Sequence, residues 1–88
     1  MKRYHVGNKT IFLDLDDDVK NAASIPSNNL RIYEDGNLVW ELDEVAKGDA
    51  CVGLNIGDEQ DIEFTSFNGL RRTLNLKTLT ITKTQITK

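Results

Sequence analysis

Apolar and polar residues alternate along much of this chain, and the same kind of turn signal breaks the alternation twice. Leu30 and Ile32 precede Tyr33-Glu34-Asp35-Gly36, and Leu38, Trp40 and Leu42 follow it. Ile62 and Phe64 precede Ser66-Phe67-Asn68-Gly69, and Leu70, Leu74 and Leu76 follow it. A period of two puts each set on one face of an extended strand. Glycine supplies the left-handed backbone that a tight reversal requires. Both segments therefore read as antiparallel hairpins.

Register follows from the same positions. Around the first turn the apolar residues are all even-numbered. A two-residue loop would pair odd with even and split them between faces. A three-residue loop with Gly36 as the bulge residue pairs Ile32 with Leu38 and Leu30 with Trp40, and this is the expected register. Around the second turn, Gly69 as the bulge residue sets Ile62 opposite Leu74 and Phe64 opposite Arg72. A two-residue Asn-Gly turn would set Ile62 against Asn75 and waste the pattern.

The remaining chain is punctuated in the same way. Residues 4–6 and 10–15 read as short strands joined at Gly7-Asn8. Asp16-Asp17-Asp18 opens a stretch over 19–23 with the potential for one or two helical turns, because aspartate caps helix starts. Pro26 stops it. Ala46-Lys47-Gly48-Asp49 and Gly57-Asp58-Glu59-Gln60 are turns, with Val52, Leu54 and Ile56 as a strand between them and 61–66 as a strand after. From Leu70 to about Thr84 no glycine or proline intervenes, but the apolar phase changes from Leu74 and Leu76 to Leu79 and Ile81. One long strand with a bulge or corner near Lys77-Thr78 would explain that change. The expected fold is all-β, or β-rich with one short helix: a small antiparallel barrel or sandwich built from hairpins, forming one domain over 1–88.

Composition adds bounds. Eighty-eight residues hold one modest core. Cys51 is alone, which excludes an intrachain disulfide. The first residues are basic without the apolar run of a signal peptide, and no apolar stretch approaches the ~20 residues that cross a bilayer. A cytoplasmic location and no membrane association are the expectations.

Charge is unevenly spread. All 14 acidic residues lie between Asp14 and Glu63, and residues 64–88 carry five basic residues with no acid. Overall the chain is acidic, at −3. Pairing of a basic last segment with an acidic neighbour accounts for this internally, and the second hairpin would place Lys77 opposite Glu59. A functional account makes Arg71, Arg72 and Lys77 a basic patch for phosphate or carboxylate.

The acid cluster Asp14, Asp16, Asp17, Asp18 offers hard oxygen ligands, but a calcium loop begun at Asp14 needs Gly and Glu where Val19 and Ile25 stand. Ile11-Phe12-Leu13-Asp14-Leu15-Asp16 resembles the nucleophile strand of the haloacid-dehalogenase family over six residues. That family continues with a small pair where this chain has Asp17-Asp18, and it implies a parallel sheet with alternating helices, which the hairpins leave no room for. A solvated strand end with a helix cap is the simpler reading. His5 and Cys51 are the only histidine and thiol, and nothing in their spacing makes them a nucleophilic pair. Phosphate-cradling and hydrolase motifs are missing. The sequence supports a non-enzymatic protein-interaction module, without cofactor, that binds through an exposed sheet edge or hairpin surface, with acidic character suited to a basic partner. The alternative is a small anion- or nucleic-acid-binding β module using the basic C-terminal strand. Homo-oligomerisation through an edge strand is compatible with either.

Overall fold

The computed structural model describes residues 1–15, 25–57 and 60–87. It is all-β. Eight strands form two four-stranded antiparallel sheets, each a simple meander. The first sheet runs in the order β1 (Lys2–Val6), β2 (Lys9–Leu13), β3 (Leu30–Glu34), β4 (Asn37–Glu41). The second runs β5 (Cys51–Ile56), β6 (Asp61–Ser66), β7 (Leu70–Asn75), β8 (Thr80–Ile86). A 3₁₀ turn at Leu42–Glu44 follows β4, so Leu42, expected to continue the strand alternation, begins a turn instead. The expected helix over 19–23 lies outside the described residues.

The two sheets share one core. Ile11, Leu13, Leu30, Ile32 and Trp40 face inward from the first, and Cys51, Ile62, Phe64 and Leu74 from the second, with Leu42 and Leu76 closing the ends. Trp40 meets Phe64 edge-on across the interface, with ring centroids 5.6 Å apart, a geometry worth about 0.5–1.5 kcal/mol beyond the area buried. At the margin of the first sheet's inner face, Lys9 is only 11% exposed in its side chain and pairs with Glu34 at 3.0 Å.

Turn chemistry explains most of the registers. Gly7, at φ +61, lets Val6 pair directly with Lys9. The second hairpin has the expected register: Ile62 opposite Leu74, Phe64 opposite Arg72, Gly69 at φ +88 and its N–H on Ser66 O at 2.9 Å. The first hairpin does not. Asp35 (φ +52) and Gly36 (φ +81) make a two-residue turn, so Glu34 pairs with Asn37. Val39 is then an extra residue in β4, and beyond it Ile32 faces Trp40. The bulge returns Trp40 to the core and leaves Leu38 outside, 45% exposed, opposite Tyr33.

Two more bulges act in the same way. Val52 is extra in β5, which exposes it and turns Cys51 inward, and Thr82 is extra in β8. The phase change after Leu76 is a hairpin rather than a corner in one long strand. Residues 76–79 form the loop, Asn75 Oδ1 accepts the N–H groups of Lys77 and Thr78 at 2.9 Å each, and Leu79 takes a left-handed conformation at φ +57. An Asx turn of this kind substitutes for glycine.

At one end an Asn28-Asn29 pair ties the sheets together. The Asn29 N–H side-chain donor reaches Cys51 O at 2.9 Å, and its Oδ1 accepts the Cys51 N–H at 2.6 Å, so the carboxamide pairs with β5 as a backbone would. The same amide also donates to Asp14 O at 3.2 Å. Asn29 is 5% exposed. Asn28, at φ +51, donates its N–H to Asp49 O at 2.8 Å and accepts the Asp43 N–H at 2.9 Å.

Two outcomes follow. Asn29→Ala strands a buried N–H and C=O on Cys51 and is expected to cost about 2–4 kcal/mol in urea unfolding. Leu38→Thr should change stability by less than about 0.5 kcal/mol, whereas Ile32→Ala should cost about 2–5 kcal/mol. Equal costs for the two would contradict the observed register.

Candidate functional site

Because the core takes one face of each sheet, the opposite faces and the edges are what remain for partners. The outer face of the first sheet has the more distinctive chemistry. Pairing across β1, β2 and β3 aligns Arg3, Phe12 and Arg31 in one row and His5, Thr10 and Tyr33 in the next. Phe12 and Tyr33 meet edge-on, with centroids 5.1 Å apart and planes at 81°. The Arg3 guanidinium lies over the Phe12 ring, 5.0 Å from its centroid. His5 Nδ1 and Thr10 Oγ1 are 3.3 Å apart. These residues line a concavity of about 650 Å³, and Asp14 and Asn28 line it as well.

The edges differ from one another. β8 pairs on one side with β7 and on the other with nothing among the described residues. Six of its seven residues are exposed, and Ile86 is 77% exposed. Ile81 at the start of the strand packs against the core, and from Thr82 to Ile86 every side chain is exposed.

The residues anticipated from sequence are dispersed. Arg71 and Arg72 are successive in β7 and point to opposite faces. Arg71 is exposed and approaches Glu63 at 3.8 Å. Arg72 points inward, is 9% exposed, and donates to Ser66 Oγ at 3.1 Å. Its aliphatic stem is packing, as long cationic side chains at a core margin usually are. Lys77 sits in the β7–β8 loop. Glu59, its expected cross-strand partner, lies outside the described residues, as do Asp16, Asp17 and Asp18. Asp14 is exposed at the end of β2, and no group of three metal-ligating side chains occurs among the described residues.

His5 and Cys51 are on different surfaces of the molecule: His5 is exposed on the outer face, while Cys51 is fully buried. Burial pushes the Cys51 thiol up to about 11, with a backbone hydrogen bond at Gly53 opposing the rise and the Asp49 carboxylate adding to it. A thiol so held is packing rather than nucleophile.

Arg3, Phe12, Arg31 and Tyr33 were not anticipated as a group. Gly7-Asn8 already implied the Arg3–Phe12 pairing. The pairing of β2 with β3 spans a long connection, and no local signal carries it. No protein-family model matches the chain, and no curated protein or solved structure shows significant similarity to it. No helix among the described residues is long and apolar enough to cross a membrane.

The Cys51 environment yields a pH dependence. The folded thiol holds its proton up to about 11 while the unfolded one releases it near 9.0. Above the lower value the unfolded chain binds fewer protons, so stability falls as pH rises from about 9 to 11, by about 2–3 kcal/mol in all. Urea unfolding of wild type and Cys51→Ala at pH 8 and pH 10.5 checks this: the wild type should lose more stability between the two than the variant. A thiol reagent at pH 8 should modify the native protein far more slowly than the unfolded chain.

Proposed function

We propose that the chain is a small, non-enzymatic protein-interaction module that engages its partner along the free edge of β8. The observation that carries this reading is the length and exposure of β8, the longest of the described strands, with six of its seven residues exposed. β1 is guarded by Lys2, Arg3 and His5. β4 and β5 are shorter and, like β8, each carry a bulge, and β4 ends on Glu41. Charges and bulges of this sort blunt an edge against further pairing. β8 is the longest strand, contains no proline, and has one charged residue, Lys83. Beyond its bulge at Thr82, residues 83–86 run in regular register with Thr73, Arg72, Arg71 and Leu70.

An extended segment of a partner can add to such an edge. Main-chain hydrogen bonds supply affinity, and alternate side chains supply selectivity. On β8 the face continuous with the core offers Thr84 and Ile86, opposite Arg72 and Leu70. Threonine suits a flat, half-covered sheet, so little local rearrangement is needed. The basic-patch alternative has less support, since Arg71, Arg72 and Lys77 do not share one surface.

The test uses Thr84→Lys with Ile86→Lys, which put two charges on this strand at exposed positions and should alter stability by less than about 0.5 kcal/mol. Immobilised wild-type chain is expected to retain a stoichiometric partner from a lysate of its host, and the double variant to lose it. Retention by both, or by neither, would refute the edge reading. Light scattering of the purified chain identifies the case in which the partner is a second copy.

A further inference from the structure

We propose that the outer face of the first sheet is a separate binding site, and that its ligand is a single nucleotide, a planar base bearing phosphate. The site has the size, the stacking surfaces and the anion donors that such a molecule needs. Its volume of about 650 Å³ falls among small-ligand sites, which run from roughly 300 to 1,000 Å³.

Stacking is provided by Phe12 and Tyr33. Their edge-on arrangement, at 81°, means that both rings cannot be covered by one another. The Arg3 guanidinium already lies over Phe12, so a base can stack against that cation or on Tyr33 beside it. The anion donors flank the rings. Arg3 is on β1 and Arg31 on β3, two strand spacings apart, so their backbones are about 10 Å from each other. Arg31 is exposed, and neither arginine is ion-paired among the described residues. Glu41, the cross-strand neighbour of Arg31, instead accepts a hydrogen bond from the Asn28 amide. Arg31 therefore has its guanidinium fork available for two phosphate oxygens. His5 adds a further donor in the adjoining row.

Charge decides between one nucleotide and a strand of them. Asp14 also lines the site, and the whole chain carries −3. A strand laid across the face would bring additional phosphates toward that carboxylate and away from the two arginines. One nucleotide places its phosphate at Arg31 and its base on the aromatic pair, and leaves Asp14 to accept from a ribose hydroxyl. The site is on the opposite sheet from β8, so it stands independently of the edge reading.

The experiment is an amide-resolved NMR titration of the full chain with adenosine and uridine monophosphates at low salt. Saturable shifts are expected at Arg3, Thr10, Phe12, Arg31 and Tyr33. Arg31→Ala should weaken binding about tenfold or more, and Phe12→Leu several-fold, with the dispersed spectrum of each variant reporting that it remains folded. Lys83→Ala should leave binding unchanged. Absence of shifts at about 10 mM nucleotide would overturn the proposal. So would shifts of equal affinity with inorganic phosphate alone, since the base would then contribute nothing. Tighter binding of a ten-residue oligonucleotide with a steep salt dependence would overturn it in favour of a single-strand surface.

Discussion

The structure depends on a side chain that behaves as backbone. Each sheet is a meander that satisfies its own ladder, so nothing in the ladders themselves holds one sheet in place against the other. Apolar burial brings the inner faces together but does not direct them, because it is roughly proportional to area and has no preferred orientation. The Asn29 carboxamide supplies direction. It donates to Cys51 O and accepts from Cys51 N–H, a reciprocal pair like that between neighbouring strands, and does so in a site from which water is nearly excluded. Its own carbonyl accepts the Asp14 N–H at 2.9 Å, which continues the β2–β3 pairing by one step. One residue is thus in both sheets at once. Unmet, each of these polar groups would cost far more than a met hydrogen bond gains, so the end of the core is fixed by the penalty of every other arrangement.

A second constraint is phase. A side-chain period of two allows no error of one residue, because every later residue would change faces. In three strands the apolar set contains such an error, and in each a single extra residue corrects it: Val39, Val52 and Thr82. All three belong to outermost strands, β4, β5 and β8, where a bulge disrupts pairing on one side only. Central strands β2, β3, β6 and β7 are free of extra residues. The correction has a surface consequence. Leu38 and Val52 are turned to solvent while their strand neighbours Trp40 and Cys51 are turned in.

What was legible in the chain follows from these two constraints. The second hairpin could be read because turn and pattern agree: Gly69 in a bulge, Ile62 against Leu74. The first departs from the expected register because a bulge interrupts its pattern at Val39. Asp35-Gly36 is a strong two-residue signal, yet it conflicts with the even-numbered apolar set, and the conflict is resolved inside β4 rather than at the turn. The last segment departs from the expected single strand for a related reason. A reversal without glycine or proline is hard to see, and Asn75 with a left-handed Leu79 does the work that glycine does elsewhere. The Asn29 bridge was out of reach altogether. Its partner is 22 residues away, and a carboxamide leaves no periodic trace. The basic residues show the same limit: alternation alone separates Arg71 from Arg72, whereas the company Arg31 keeps depends on which strand lies beside β3.

The division between faces also bears on where recognition can evolve. Inner-face residues are bound by packing, and at Arg72 even a guanidinium is drawn into the core margin and held by Ser66. Outer-face residues are free of that demand, so the row Arg3, half-buried Phe12 and Arg31 is not required by the core. Phe12 could have been threonine at no expense to the core, since Ile11 and Leu13 on either side already bury against it. An aromatic ring at that position gains a partner in Tyr33 and a cation in Arg3, but it keeps apolar surface in contact with water. A ring that keeps part of its apolar surface in water, beside an arginine with no ion pair among the described residues, is a cost that the fold does not require and that the proposed ligand would offset.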